Sequence, residues 1–179
     1  MHVAPMGPHV SDDLLQWTLK PFQSSTTFRN LRASNRCVVN VVDDSMLLTL
    51  AVTGQANKAA SRFVDSCGFV LDGACHWYAL SIQSWDVSQP RAIAQCEVQS
   101  TGIERPFFGW NRAKHAVVEL AILTSRIDML TPESIQSEID RLKVLIDKTA
   151  GKSETGAFRL LVDWISNHTR EKVDGRPLR

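Results

Sequence analysis

Apolar positions follow two rhythms along this chain. Through the first hundred or so residues they fall in short runs or at alternate places, as in strands, and beyond Arg105-Pro106 they fall at every third and fourth place, as in amphipathic helices. From Val3 to about Asp43 the pattern predicts strand, turn, strand, loop, helix and strand, punctuated by Pro5, Gly7, Pro8 and the Ser11-Asp12-Asp13 cluster. Leu14 to Phe22 is rich in strand formers and stops at Lys20-Pro21, because proline donates nothing to a ladder and holds its predecessor extended. Ser24-Ser25-Thr26-Thr27 then offers N-cap residues to a short helix carrying Phe28 and Leu31, closed near Ser34-Asn35. Cys37 to Val42 predicts a buried strand interrupted by one polar residue, Asn40.

Asp43-Asp44-Ser45 caps a predicted helix through Val52, and Asn57 to Ser66 predicts a second, amphipathic one; both could cover the mouth of a barrel, were the strands to close into one. His76 to Val87 and Arg91 to Gln99 predict two antiparallel strands joined through Ser88-Gln89-Pro90. Ala116, Leu120, Leu123 and Ile127 then mark a helix after Asn111. Thr131-Pro132-Glu133 starts another that carries Ile135, Ile139, Leu142, Leu145 and Ile146 to about Gly151, and Ser153-Glu154 opens a third with Phe158, Leu161, Trp164 and Ile165. The expected organisation is α+β: a β-rich domain over 1–106, a three-helix subdomain over 107–170 and a frayed tail over 171–179.

Composition narrows the function classes. With 44% hydrophobic and 22% charged residues the chain is of ordinary globular make-up. Twenty Lys and Arg nearly cancel nineteen Asp and Glu, so no field of the whole molecule draws it to nucleic acid or to an anionic membrane, and any anion site must be local. The longest apolar runs, Val38 to Val42 and Met46 to Val52, fall well short of the roughly 20 residues of a spanning helix. The opening Met-His-Val-Ala-Pro-Met-Gly-Pro lacks a basic stretch followed by an apolar one, and the expected compartment is the cytoplasm. Cys37, Cys67, Cys75 and Cys96 lie far apart without a C-x-x-C, which predicts buried thiols in a reducing compartment.

The chemistry concentrates in one place. Between Lys20 and Asn30 the chain carries two cations, Lys20 and Arg29, the four hydroxyls of Ser24, Ser25, Thr26 and Thr27, and a helix start. Unpaired N–H groups and the dipole of a helix start favour an anion, and charge-assisted bonds add roughly 1.5–3 kcal/mol each. A capped surface helix with solvated basic residues carries the same residue types. Asn40 needs a partner, either a neighbouring loop or a ligand, because a lone amide in an apolar strand costs roughly 1–3 kcal/mol. Trp110, Asn111, Arg112 and His115 are substrate-side candidates; Asn111, His115 and Glu119 share a helical face, as an N-cap and polar stripe also would. Gly151-Lys152-Ser153 is not a Walker A motif, since Ile146 stands where the first glycine belongs. The five histidines have no zinc-site spacing, and neither a G-x-S-x-G elbow nor a G-x-G-x-x-G fingerprint occurs.

Thr27-x-x-Asn30-Leu31 followed by Val38-Val-Asn40-Val resembles flavin reductase-like members of the FMN-binding split β-barrels. Ala4-Pro-Met-Gly7, Leu19-Lys-Pro-Phe22 with Ser25-Thr-Thr-Phe-Arg-Asn30, and Asn111-Arg-Ala-Lys-His115 together resemble the domain of unknown function 447, a split barrel with a C-terminal helical domain, over almost the whole chain. The resemblance implies a homodimer with FMN near the subunit interface. Ser25, Thr26, Thr27 and Arg29 would hold the phosphate, with Lys20, Ser24 and Asn30 assisting and Asn40 nearby, and the ring would lie near Pro5, Met6 and Gly7. Relatives usually carry one more strand before the segment that opens this chain, so the expectation is that the sequence starts at an internal methionine. The implied activity is an oxidoreductase of a small molecule with FMNH₂ or a nicotinamide as electron partner. A non-catalytic flavin-binding or flavin-delivering dimer, and anion binding without flavin, remain the rival classes; no acid–base pair in the sequence decides among them.

Overall fold

The computed structural model describes residues 1–56, 59–64 and 68–173. The chain folds into two compact units, Met1–Val42 with Asn57–Phe107, and Asp43–Ala56 with Phe108–Arg179.

The first unit is built on an antiparallel sheet of five strands. β1 (His9–Val10), β2 (Gln16–Leu19), β3 (Arg36–Val42), β6 (Ala74–Asp86) and β7 (Ile93–Ile103) stand in the order β1-β2-β7-β6-β3. β6 and β7 pair along nearly their whole length, and register shifts at Ala79/Leu80 and Ile82/Ser84 add the twist that curls such a ladder. The period of two gives each sheet face its own core. Trp17, Leu19, Leu80, Ala94 and Cys96 cluster on one face, covered by Leu31 of α1 (Thr26–Ser34). Trp77 and Ala79 lie on the other face, covered by Val64 and Val70. Trp77 lies so close to Gly102 that a Cβ there would meet the indole at 2.5 Å, which leaves room only for glycine.

Val64 and Val70 belong to β4 (Ser61–Val64) and β5 (Gly68–Leu71), an antiparallel pair where the apolar spacing predicts a helix over Asn57 to Ser66. Of that segment Ser61–Val64 is strand and residues 59 and 60 have no regular structure; residues 57, 58, 65 and 66 lie outside the described residues. Two polar anchors favour the extended form. Asn40 donates to Phe69 O (3.1 Å) and accepts from Leu71 N–H (2.9 Å). The Glu104 carboxylate accepts from Arg62 of β4 and from Trp77 Nε1. Pro5 to Gly7 make no turn: residues 1–8 run without regular structure to β1, which pairs with Trp17 and Thr18 on the outer side of β2.

The second unit packs α2 (Ser45–Val52), α3 (Arg112–Thr124), α4 (Pro132–Thr149) and α5 (Lys152–Val173) around Val117, Leu120, Leu142, Leu161 and Ile165. Asp44 caps α2 by accepting from Met46 and Leu47 N–H, and Thr131 caps α4 with Pro132 at its first position. α2 packs on α3 and α5 through Met46, Leu48 and Val52, so the helical unit begins within the first third of the sequence rather than only after Pro106. Asp43 joins the two places where this unit is entered. Its carboxylate accepts Phe108 N–H (2.8 Å) and stands 3.5 Å from Lys114 Nζ, which also donates to the Asp43 carbonyl (2.7 Å). α5 continues in regular helix to Val173, past the expected start of the frayed tail; residues 174–179 lie outside the described residues.

Candidate functional site

α1 forms because Ser25 ends the preceding loop in extended geometry, its Oγ accepting Phe28 N–H at 3.1 Å. It ends at Asn35, a left-handed residue (φ 52°) whose N–H returns to Leu31 O. Leu31 and the edge-on contact of Phe28 with Trp85 press one face of the helix onto the sheet. The loop before it is fixed as well. Gln23 donates from its side chain to Val87 O and Gln89 O (2.9 and 2.7 Å), Gln23 N–H goes to Pro90 O (3.0 Å), and Arg91 lies over the Phe22 ring. The turn between β6 and β7 therefore holds the start of α1 in place.

What that start presents is a set of donors. The first N–H groups of an α-helix have no carbonyl one turn back, and the first turn here contains no acidic residue. Arg29 folds back over the helix start, donating to Ser24 O (3.2 Å) and to Thr26 Oγ1 (2.9 Å). From the N-terminal segment, His2 places Nε2 2.9 Å from Thr27 Oγ1. Thr26, Arg29 and His2 are exposed and Thr27 is half-buried, so the donors face solvent at a fixed point.

The expected residues divide accordingly. Ser24, Thr26, Thr27 and Arg29 converge at the helix start, Asn30 follows exposed on α1, and Pro5, Met6 and Gly7 lie exposed on the segment that carries His2. The Ser25 hydroxyl is engaged as the cap and by donation to Phe22 O (2.7 Å), so it acts on the helix rather than on a ligand. Lys20 Nζ lies 3.3 Å from His9 Nε2 beside β1, and no bond joins it to α1 among the described residues. Of the two partners expected for Asn40, a neighbouring segment or a ligand, the fold supplies the first: both ends of its amide are bonded to β5. His2 was not among the expected residues; it lies 25 positions from Thr27 and no motif marks it.

The substrate-side candidates belong to the helical unit. Asn111 is the N-cap of α3, accepting Lys114 N–H at 3.0 Å, and Trp110 is fully exposed beside Gly109, whose φ of +99° suits glycine. Arg112 is exposed, and His115 Nδ1 stands 4.0 Å from Glu119 Oε1. A solvent-open depression at the start of α5, lined by Ala150, Gly151, Lys152, Thr155, Gly156 and Arg159, has the Glu154 carboxylate on the Gly151 N–H, which opposes an anion there. No helix among the described residues is long and apolar enough to cross a membrane, and none of their His, Cys, Asp and Glu side chains gather in threes as metal ligands.

A phosphate dianion calls for N–H and O–H donors with positive charge nearby; threonine hydroxyls, free helix N–H groups and a guanidinium meet that call, with the His2 imidazole behind the Thr27 hydroxyl, so the donor set at α1 fits the phosphate of FMN. Residues 1–105 match the N-terminal domain, and residues 111–163 the remaining part, of a family described as proteins of unknown function, DUF447. No curated protein sequence matches the chain. An FMN-bound protein of that family from Methanosarcina mazei has a similar structure, with a TM-score of 0.71 and 20% identity, over 89% of this chain and 85% of that one. The flavin reductase HpaC, complexed with NADP⁺, matches with a TM-score of 0.50 and 14% identity over 59% of this chain and 70% of its own. Both likenesses are of fold, the split β-barrel of flavin reductase-like proteins. With matches spanning both its sheet unit and its C-terminal helices, the chain belongs to the DUF447 family.

Proposed function

We propose that this protein binds FMN, with the phosphate at the start of α1 and the ring along residues 4–7. The observation that carries the reading is the donor set: Arg29 over Thr26 and His2 against Thr27 at an acid-free helix start. The FMN-bound relative from Methanosarcina mazei supports the choice of anion. Bound flavin would supply two-electron chemistry; the chain would supply binding and orientation. The reading extends to a flavin-dependent oxidoreductase acting as a homodimer on a small molecule, with a nicotinamide as electron donor. Phe63 and Phe69, exposed and in edge-on contact with each other, are in keeping with a subunit interface.

The test is the visible absorption spectrum of the protein after incubation with FMN and gel filtration. Retained flavin, bleached by NADH or NADPH without oxygen, is the expected result. Loss of all flavin on the column, with no binding at millimolar FMN, would refute it. Flavin that is held but inert to both nicotinamides would leave a flavin carrier.

A further inference from the structure

The two threonines at the start of α1 are arranged alike. A hydroxyl has one proton to give. Arg29 Nη2 donates to Thr26 Oγ1, so the Thr26 proton is directed elsewhere. The imidazole of His2 stands in the same relation to Thr27, with Nε2 at 2.9 Å from Oγ1. That contact has two forms. If Thr27 donates to a bare Nε2, its only proton is turned inward and its oxygen faces an incoming anion. If Nε2 carries hydrogen, as it does in one neutral tautomer and in the imidazolium, the ring donates to Oγ1 and the Thr27 proton turns outward. An anion at the helix start binds only the second form well, because the first sets lone pair against lone pair.

We propose that His2 is a positioning residue for the flavin phosphate: it donates to Thr27 Oγ1 and so commits the Thr27 hydroxyl proton to a phosphate oxygen. This rests on the FMN reading and adds to it that discrimination between FMN and phosphate-free riboflavin depends on the N-terminal segment. His2 and Arg29 then have matching roles, each standing behind one hydroxyl. His2 lies on an exposed, irregular stretch and enters no core, so replacing it leaves the fold intact.

The experiment is a set of FMN and riboflavin titrations of the full chain carrying His2→Ala, His2→Gln, Thr27→Val or His2→Ala with Thr27→Val. The glutamine amide can place an N–H near the position of Nε2. His2→Ala should weaken FMN about tenfold while leaving riboflavin within about twofold, and His2→Gln should recover most of the loss. With Thr27→Val already present, His2→Ala should add nothing. Equal weakening of FMN and riboflavin, no recovery with glutamine, or an undiminished effect in the Thr27→Val background would overturn the proposal. Wild-type protein that ignores the phosphate would sink the FMN reading itself, whereas a phosphate-selective wild type indifferent to His2→Ala would overturn only the role of His2.

Discussion

Ser25, Asn40 and Asn111 each carry a polar group that invites a ligand, and each is bonded within the fold. Thr26, Thr27 and Arg29 differ because their bonds leave donor capacity facing solvent. Arg29→Glu should therefore weaken FMN by at least about 2 kcal/mol, losing a charge-assisted donor and setting a like charge against the dianion. Unchanged affinity in a fluorescence-quench titration would remove Arg29 from the site. Cys96 supports a second expectation at this scale. Burial pushes its thiol from 9.0 up to about 11, so the folded state keeps a proton that the unfolded chain releases. This stabilisation is complete below pH 9.0 and is lost as pH rises through about 11. The alkaline loss of stability in urea should therefore be smaller in Cys96→Ala; equal losses in the two proteins would contradict it. The candidate donors are legible in the sequence because Arg29 and a run of hydroxyls stand beside a helix start, although a capped surface helix carries the same residue types. His2 is not, because only the path of residues 1–8 brings it to Thr27.

α1 tests whether capping and ligand binding are separate jobs. Ser25→Ala removes the cap and should cost about 1 kcal/mol of stability, seen as a lower urea midpoint, with only a small loss of FMN affinity because Ser25 faces the helix. A loss of flavin as large as that of Arg29→Glu would return Ser25 to the phosphate. Where one period dominates, the elements are legible: β6 and β7 alternate, and α3, α4 and α5 follow the helical stripe between plain caps. The β4–β5 pair is not, because Ala59, Ala60, Phe63 and Val64 fall at helical spacing while the strand form of Ser61–Val64 and its partner depends on Asn40, Trp77 and Glu104 elsewhere in the chain. The partner of α2 is equally hidden. A helix apolar on nearly every side shows that it is buried without showing against what.

At the scale of the whole chain the two units interleave, since Asp43–Ala56 leaves the sheet unit, joins the helical one and returns. The sequence shows a change of period near Pro106, but a short helix between strands carries no mark of the unit it serves. Ending the chain at Gly109 would strip α2 of α3 and α5 and expose Met46, Leu48 and Val52. The shortened chain should aggregate; a soluble, dimeric, flavin-binding product on size exclusion would contradict this. Flavin binding in the proposed mode requires that the start of α1 recognise a phosphate. Calorimetric titration of the full chain with FMN and, in parallel, with riboflavin tests this most directly. FMN binding at least about tenfold tighter than riboflavin is the predicted result, the phosphate supplying charge-assisted bonds that riboflavin cannot make. Equal affinity for the two flavins, or no binding of either, would contradict it.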